Sequence, residues 1–112
     1  MAHDGHSNGN YDRAGEIISL ALDEPRLMQA LQDHGMGEHR AATEAIRLWH
    51  IADEGKGQIY GIAEHDAEKL LNAFKTDGLI SDRASVTLDE VTQALMNYGS
   101  HDNDRHAAYY SM

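Results

Sequence analysis

Eight histidines and nineteen carboxylates are the side chains here with the most chemistry to offer, and their spacing decides which kind. Four groups have the residue types to ligate a metal: His3 with His6, His34 with Glu38 and His39, Glu64 with His65 and Asp66, and His101 with Asp102, Asp104 and His106. None contains the i, i+4 histidine pair that sets two imidazoles on one helical face. His34 and His39 stand five apart with Gly35 and Gly37 between them. Surface histidines, with no metal and no cofactor, are therefore expected. The carboxylate pairs Asp23-Glu24, Asp53-Glu54 and Asp89-Glu90 are neighbours in sequence, so their side chains diverge around a helix or cap it and build no general acid/base dyad. Ser19, Ser81 and Ser85 lie in no Gly-x-Ser-x-Gly elbow, and no glycine-rich loop ends in Lys-Ser or Lys-Thr. Cysteine is absent, which removes thiolate chemistry altogether. No catalytic residue is expected, and the chain reads as non-enzymatic.

Charge points to binding. Nineteen acids against nine bases give a net charge of −10, and the bases are scattered, so no segment offers the dense positive field that phosphates reward. Direct binding to nucleic acid is disfavoured. Between residues 11 and 54 nine acids face four arginines, and the acids recur along the segment instead of forming one tail. A broad negative surface of this kind steers a chain toward a basic partner and raises its on-rate. The expected function is an inhibitor or adaptor that occupies a basic surface of another protein, nucleic-acid-binding surfaces being one kind that fits. Glu64, Asp66, Glu68, Asp53, Glu54 and Tyr60 are its candidate contact residues.

These residues must be carried by helices. At 112 residues and 41% apolar content the chain is long enough for one domain and too short for two. Residues 1–10 have almost nothing to bury and read as a disordered lead, 11–99 as a single helical domain, and 100–112 as a polar tail whose aromatic groups are Tyr109 and Tyr110. No run is apolar enough to span a membrane and the N-terminus is too polar for a signal peptide, so a soluble, cytoplasmic protein is expected. Ile17, Ile18, Leu20, Ala21 and Leu22 form a first apolar face. Asp23-Glu24-Pro25 restarts the chain, Leu27, Met28 and Leu31 face inward, and Gly35 stops it. From Glu38 to Glu54 the series Ala42, Ala45, Ile46 and Trp49, with Leu48 and Ile51, predicts a helix with Trp49 as core anchor, ended by Gly55-Lys56-Gly57. Ala63, Ala67, Leu70, Leu71 and Phe74 fall on one stripe of a helix running to about Thr76. Thr87 with Glu90 forms a capping box, and Val86 with Val91 a hydrophobic staple. Trp49, Phe74, Leu70, Leu71, Ile46 and Leu95 are expected to share one core. The fold class is mainly α, four to five short helices, with a small β-hairpin over 79–86.

The stretch from Gly61 to Ile80, with its Asp77-Gly78-Leu79-Ile80 exit, followed by Val86-Thr87-Leu88-Asp89-Glu90, resembles the recognition helix, wing and following helix of winged helix-turn-helix proteins over residues 40–98. That resemblance implies a DNA-binding regulator acting as a homodimer, with Lys69, Lys75 and Arg83 on DNA. The chain departs from the family where DNA is met: Glu64, His65, Asp66 and Glu68 stand on the first turns of the helix, opposite phosphates. Gly55-Lys56-Gly57-Gln58 interrupts the helix that should precede it.

Overall fold

Turn residues divide the chain into five helices. The computed structural model describes residues 13–81 and 83–98, and the expected lead (1–10) and tail (100–112) lie outside these. The helices are α1 (13–21), α2 (Glu24–Asp33), α3 (Glu38–Gly55), α4 (Tyr60–Thr76) and α5 (88–98). No strand occurs among the described residues. A single hydrophobic cluster runs from Ala14 and Ile18 of α1 through Leu27, Leu31, Leu48, Leu70 and Phe74 to Val91 and Leu95 of α5.

The boundaries follow from local chemistry. Pro25 sits in the first turn of α2, where its missing N–H costs nothing. Asp23 takes the N-cap position without a side-chain cap bond and ion-pairs instead with Arg26 at 3.7 Å. At the other end of α2 Gly35 adopts φ +100°, the Met36 N–H donates to the Leu31 carbonyl at 3.1 Å and the Gly35 N–H to Gln32 at 2.9 Å. This is a Schellman closure. The same closure ends α4, with Gly78 at φ +81°, Leu79 N–H donating to Phe74 at 2.9 Å and Gly78 N–H to Lys75 at 3.2 Å.

The capping box of α5 is present in full. The Glu90 N–H donates to Thr87 Oγ1 at 3.1 Å, and Glu90 Oε1 accepts the Thr87 N–H at 2.8 Å. Val86 and Val91 are both buried in the core cluster, as a staple requires. Thr87→Ala is expected to cost about 1 kcal/mol in a denaturant titration, with Thr87→Ser close to the parent. A stability unchanged by the alanine would place the start of the helix elsewhere.

Three expectations are corrected. The hairpin over 79–86 does not form, because the N–H groups it would need are already spent. Leu79 and Ile80 both donate to the Phe74 carbonyl (2.9 and 3.3 Å), Arg83 donates to Ser81 Oγ (3.0 Å), and Ala84 to the Ser81 carbonyl (3.0 Å). With no wing among the described residues, and a loop at 56–59 between α3 and α4, the winged-helix arrangement is not supported. The third correction is the inward face of α3. Ala41, Ala45, Leu48, Ala52 and Gly55 are buried, whereas Ile46 is 46% exposed and Trp49 lies half-buried at the surface, its ring edge-on to His50 with centroids 5.1 Å apart. Because α3 packs against both α2 and α4, small side chains on its inner stripe let it approach its neighbours closely.

Candidate functional site

α3, α4 and α5 converge where α3 ends, and this junction positions most of the candidate residues. Gly55 is buried there. A Cβ on it would fall 2.7 Å from Leu95 Cδ2 and 2.8 Å from Asp66 Cβ, so only glycine allows the three elements this proximity. The chain then turns at Gly57, which has φ +73° and donates its N–H to the Leu95 carbonyl at 3.2 Å. That bond ties the loop to α5 just before α4 begins.

Tyr60 opens α4 and bridges it to α5. Its hydroxyl donates to Asp89 Oδ1 at 3.1 Å and lies 3.5 Å from Glu64 Oε2. The Asp89 bond, with some desolvation and the Glu64 charge, holds the phenol above its ordinary range. The ring itself is exposed, between the exposed side chains of Ile59 and Ile62. Glu54 and Glu68 are also exposed and Glu64 is half-buried. Asp53 is half-buried and paired with Lys56 at 3.2 Å.

Asp66 does not belong to this surface. Its expected place on a protruding acidic helix opening is corrected, since it is buried against Gly55 and Leu95. Burial raises its pKa, the nearby Lys69 and His65 lower it, and the Glu54 charge raises it further. The residues of the alternative reading are spread out. Lys69 is exposed on α4, Lys75 half-buried in its last turn, and Arg83 exposed in the linker. Lys69 and Lys75 are six residues apart on one helix and so project about 120° apart around its axis.

A second constellation escaped the sequence. Glu44 of α3 and Asp77 at the end of α4 bring their carboxyl groups together, with Arg40 and Arg47 close by. Arg47 forks onto Glu44 through Nε at 3.0 Å and Nη2 at 2.9 Å. Asp77 Oδ2 is buried without a hydrogen-bond partner. Arg47, Lys69, Asn72 and Thr76 line the shallow groove beside the pair. Burial first, then the Glu44 carboxylate, pushes Asp77 up to about 6, while Arg47 holds Glu44 below its ordinary range. Protonating Asp77 removes the like-charge repulsion between the two carboxyls. The exposed His34, His39, His50 and His65 join no such group, and no cluster of three or more histidines and carboxylates able to hold a metal occurs among the described residues.

The sign of the pH dependence follows. Asp77 has a folded pKa above its ordinary 3.8, so the stability it contributes is complete below that pH and is lost as pH rises through about 6. Glu44 runs the other way, contributing above its ordinary 4.5 and losing that contribution as pH falls. Relative to Asp77→Asn, the parent should lose about 1–2 kcal/mol between about pH 4 and pH 7.5, a value already discounted for solvent screening. Parallel stability profiles for the two proteins would mean that Asp77 does not titrate in this range.

No protein-family model, curated protein or solved structure matches this chain. No helix among the described residues is long and apolar enough to cross a membrane.

Proposed function

We propose that this chain is a non-enzymatic acidic interaction module, an inhibitor or adaptor that binds a basic surface of another protein. The observation that carries this reading is the state of the carboxylates around the opening of α4. Glu54, Glu68 and Asp89 are exposed and Glu64 is half-exposed. The ion pairs Arg26–Asp23, Arg47–Glu44 and Lys56–Asp53 leave all four of them out. Asp89 and Glu64 meet the Tyr60 hydroxyl, and Glu54 and Glu68 are exposed, in a chain whose net charge is already −10. Such a face attracts cations and repels phosphate.

The test is charge reversal at Glu64 and Glu68, which leaves the buried Asp66 alone. Partner captured from the source lysate by the parent should be lost to the Glu64→Lys/Glu68→Lys variant at equal helicity. Capture should weaken as salt rises from about 0.05 to 0.3 M, because screening shortens the field. Capture indifferent to both changes would defeat an electrostatic module. Tight binding of duplex DNA by the parent would favour a nucleic-acid regulator instead.

A further inference from the structure

The acidic face is not only charged. At the opening of α4 Ile59 is 71% exposed, Ile62 48% and Tyr60 41%; Tyr60 and Ile62, two residues apart on the helix, flank Gly61 on opposite sides, and Ile59 stands at the N-cap. Leaving them in water serves no packing purpose, for the junction beneath is already closed by Asp66, Leu95 and Gly55. The patch is also held in shape. Tyr60 is fixed at its hydroxyl by Asp89 of α5, and Ile62 rides on the first turns of a seventeen-residue helix. An aromatic side chain immobilised before binding loses little entropy on contact, and apolar anchors inside a polar rim are the usual anatomy of a protein interface.

The rim decides what fits. Glu64 and Asp89 lie at the Tyr60 hydroxyl and Glu54 and Glu68 are exposed, so carboxylates outnumber the one exposed lysine of this helix, Lys69, which stands two turns on from Ile62 with His65 between them. A second copy of the chain would oppose carboxylates to carboxylates, whereas a partner with cations flanking an apolar ridge would satisfy both parts at once. Between Tyr60 and Ile62, Gly61 is exposed, and a Cβ built on it meets no atom within 4 Å. The backbone there is open to a visitor.

We infer that Ile59, Tyr60 and Ile62 form the docking point for a cationic, amphipathic protein segment, whose apolar side chains cover the two isoleucines while its Lys or Arg groups lie on Tyr60 and the surrounding carboxylates. This inference rests on the acidic-module reading and adds a place and an apolar requirement to it. An Arg over the Tyr60 ring would add cation–π attraction to the charge contacts.

Three synthetic helical peptides test it against the full chain: Leu/Lys, its Leu/Glu counterpart, and a Lys/Ser peptide of the same charge without an apolar face. Methyl resonances of Ile59 and Ile62 report the location. The Leu/Lys peptide should shift both methyls and bind at least about tenfold tighter than the Lys/Ser peptide, with the Leu/Glu peptide silent. Gly61→Trp, which fills open space on the helix, should reduce that affinity by about tenfold at unchanged thermal midpoint. Ile59→Ser, at the N-cap of α4 where serine is favoured and outside the core, should do the same if the tryptophan disturbs the fold. Leu/Lys binding that shifts residues elsewhere, or Lys/Ser binding of equal strength, overturns this docking point and leaves the acidic module standing. Failure of both cationic peptides to bind overturns the two together. A dimer in sedimentation that Gly61→Trp dissociates would assign the face to a second copy and overturn the inference.

Discussion

Phe74→Ala is expected to destabilise the fold by about 3–5 kcal/mol, the largest loss available from one side chain here. Phe74 is the chain's single phenylalanine and is 1% exposed. It sits where α4 meets α1, at a groove also bounded by Ile17, Leu20, Leu79 and Ile80. The backbone carbonyl of residue 74, which accepts from Leu79 and Ile80, survives the substitution, so the loss is one of packing and not of the helix cap. The void would open into the neighbouring groove and admit water to Ile17 and Leu20, so collapse could recover little of the buried apolar area. A domain of this size has a total stability of about 5–15 kcal/mol, which puts the variant near unfolding at the lower end. Guanidinium titration should show a lowered midpoint at nearly unchanged slope, with Phe74→Leu losing about 1.5 kcal/mol or less. A loss for the alanine variant below about 1 kcal/mol would contradict the place of Phe74 in the core.

What could be read from the sequence was what is written locally. The α4 stripe has one phase only, and all five of its residues, Ala63, Ala67, Leu70, Leu71 and Phe74, are buried. The Thr87–Glu90 box spans three residues and needs no knowledge of the remainder of the chain. On α3 two stripes compete one residue apart, 42/46/49 with the larger side chains and 41/45/48/52/55 with the smaller ones. Bulk favours the first, but Asp53 interrupts it, and a helix packed on both α2 and α4 gains more from close approach. Segment 79–86 has the composition of short strands, yet its backbone donors are drawn into closing α4 and a turn at Ser81, a competition that composition does not record.

The proposed face was legible in part, for a related reason. Tyr60 and Glu64 lie one turn apart at the opening of α4, but the contacts that shape this region join distant residues: Tyr60 to Asp89, Gly55 to Asp66 and Leu95, Glu44 to Asp77. No periodicity announces these. Asp66 is different, because its signal was present. It lies three residues after Ala63 and four before Leu70, on the stripe that packs inward, and a carboxylate near a helix start reads as solvated only if that phase is ignored. Its burial is why charge on this face must be tested at Glu64 and Glu68.

Gly55→Ala should cost about 2–3 kcal/mol even though alanine is the better helix former by about 1 kcal/mol. The added methyl would stand 2.7 Å from Leu95 Cδ2, 2.8 Å from Asp66 Cβ and 2.9 Å from Asp66 Oδ2. Leu95 can swing its methyl aside and the carboxylate can rotate. Asp66 Cβ cannot move without the α4 backbone, so relief means shifting the start of that helix as a body. Such a shift would draw Ala63 and Ala67 from the core and strain the Gly57–Leu95 backbone bond. A double-mutant cycle isolates this clash: Asp66→Gly removes the fixed carbon at a cost of its own, and in that background Gly55→Ala should be less damaging by about 1 kcal/mol or more. The same displacement would carry Tyr60 away from Asp89, so a folded Gly55→Ala chain should also lose the Tyr60–Asp89 hydrogen bond. A Gly55→Ala protein as stable as the parent would mean that helix propensity prevails and that α3 and α4 are not in this contact.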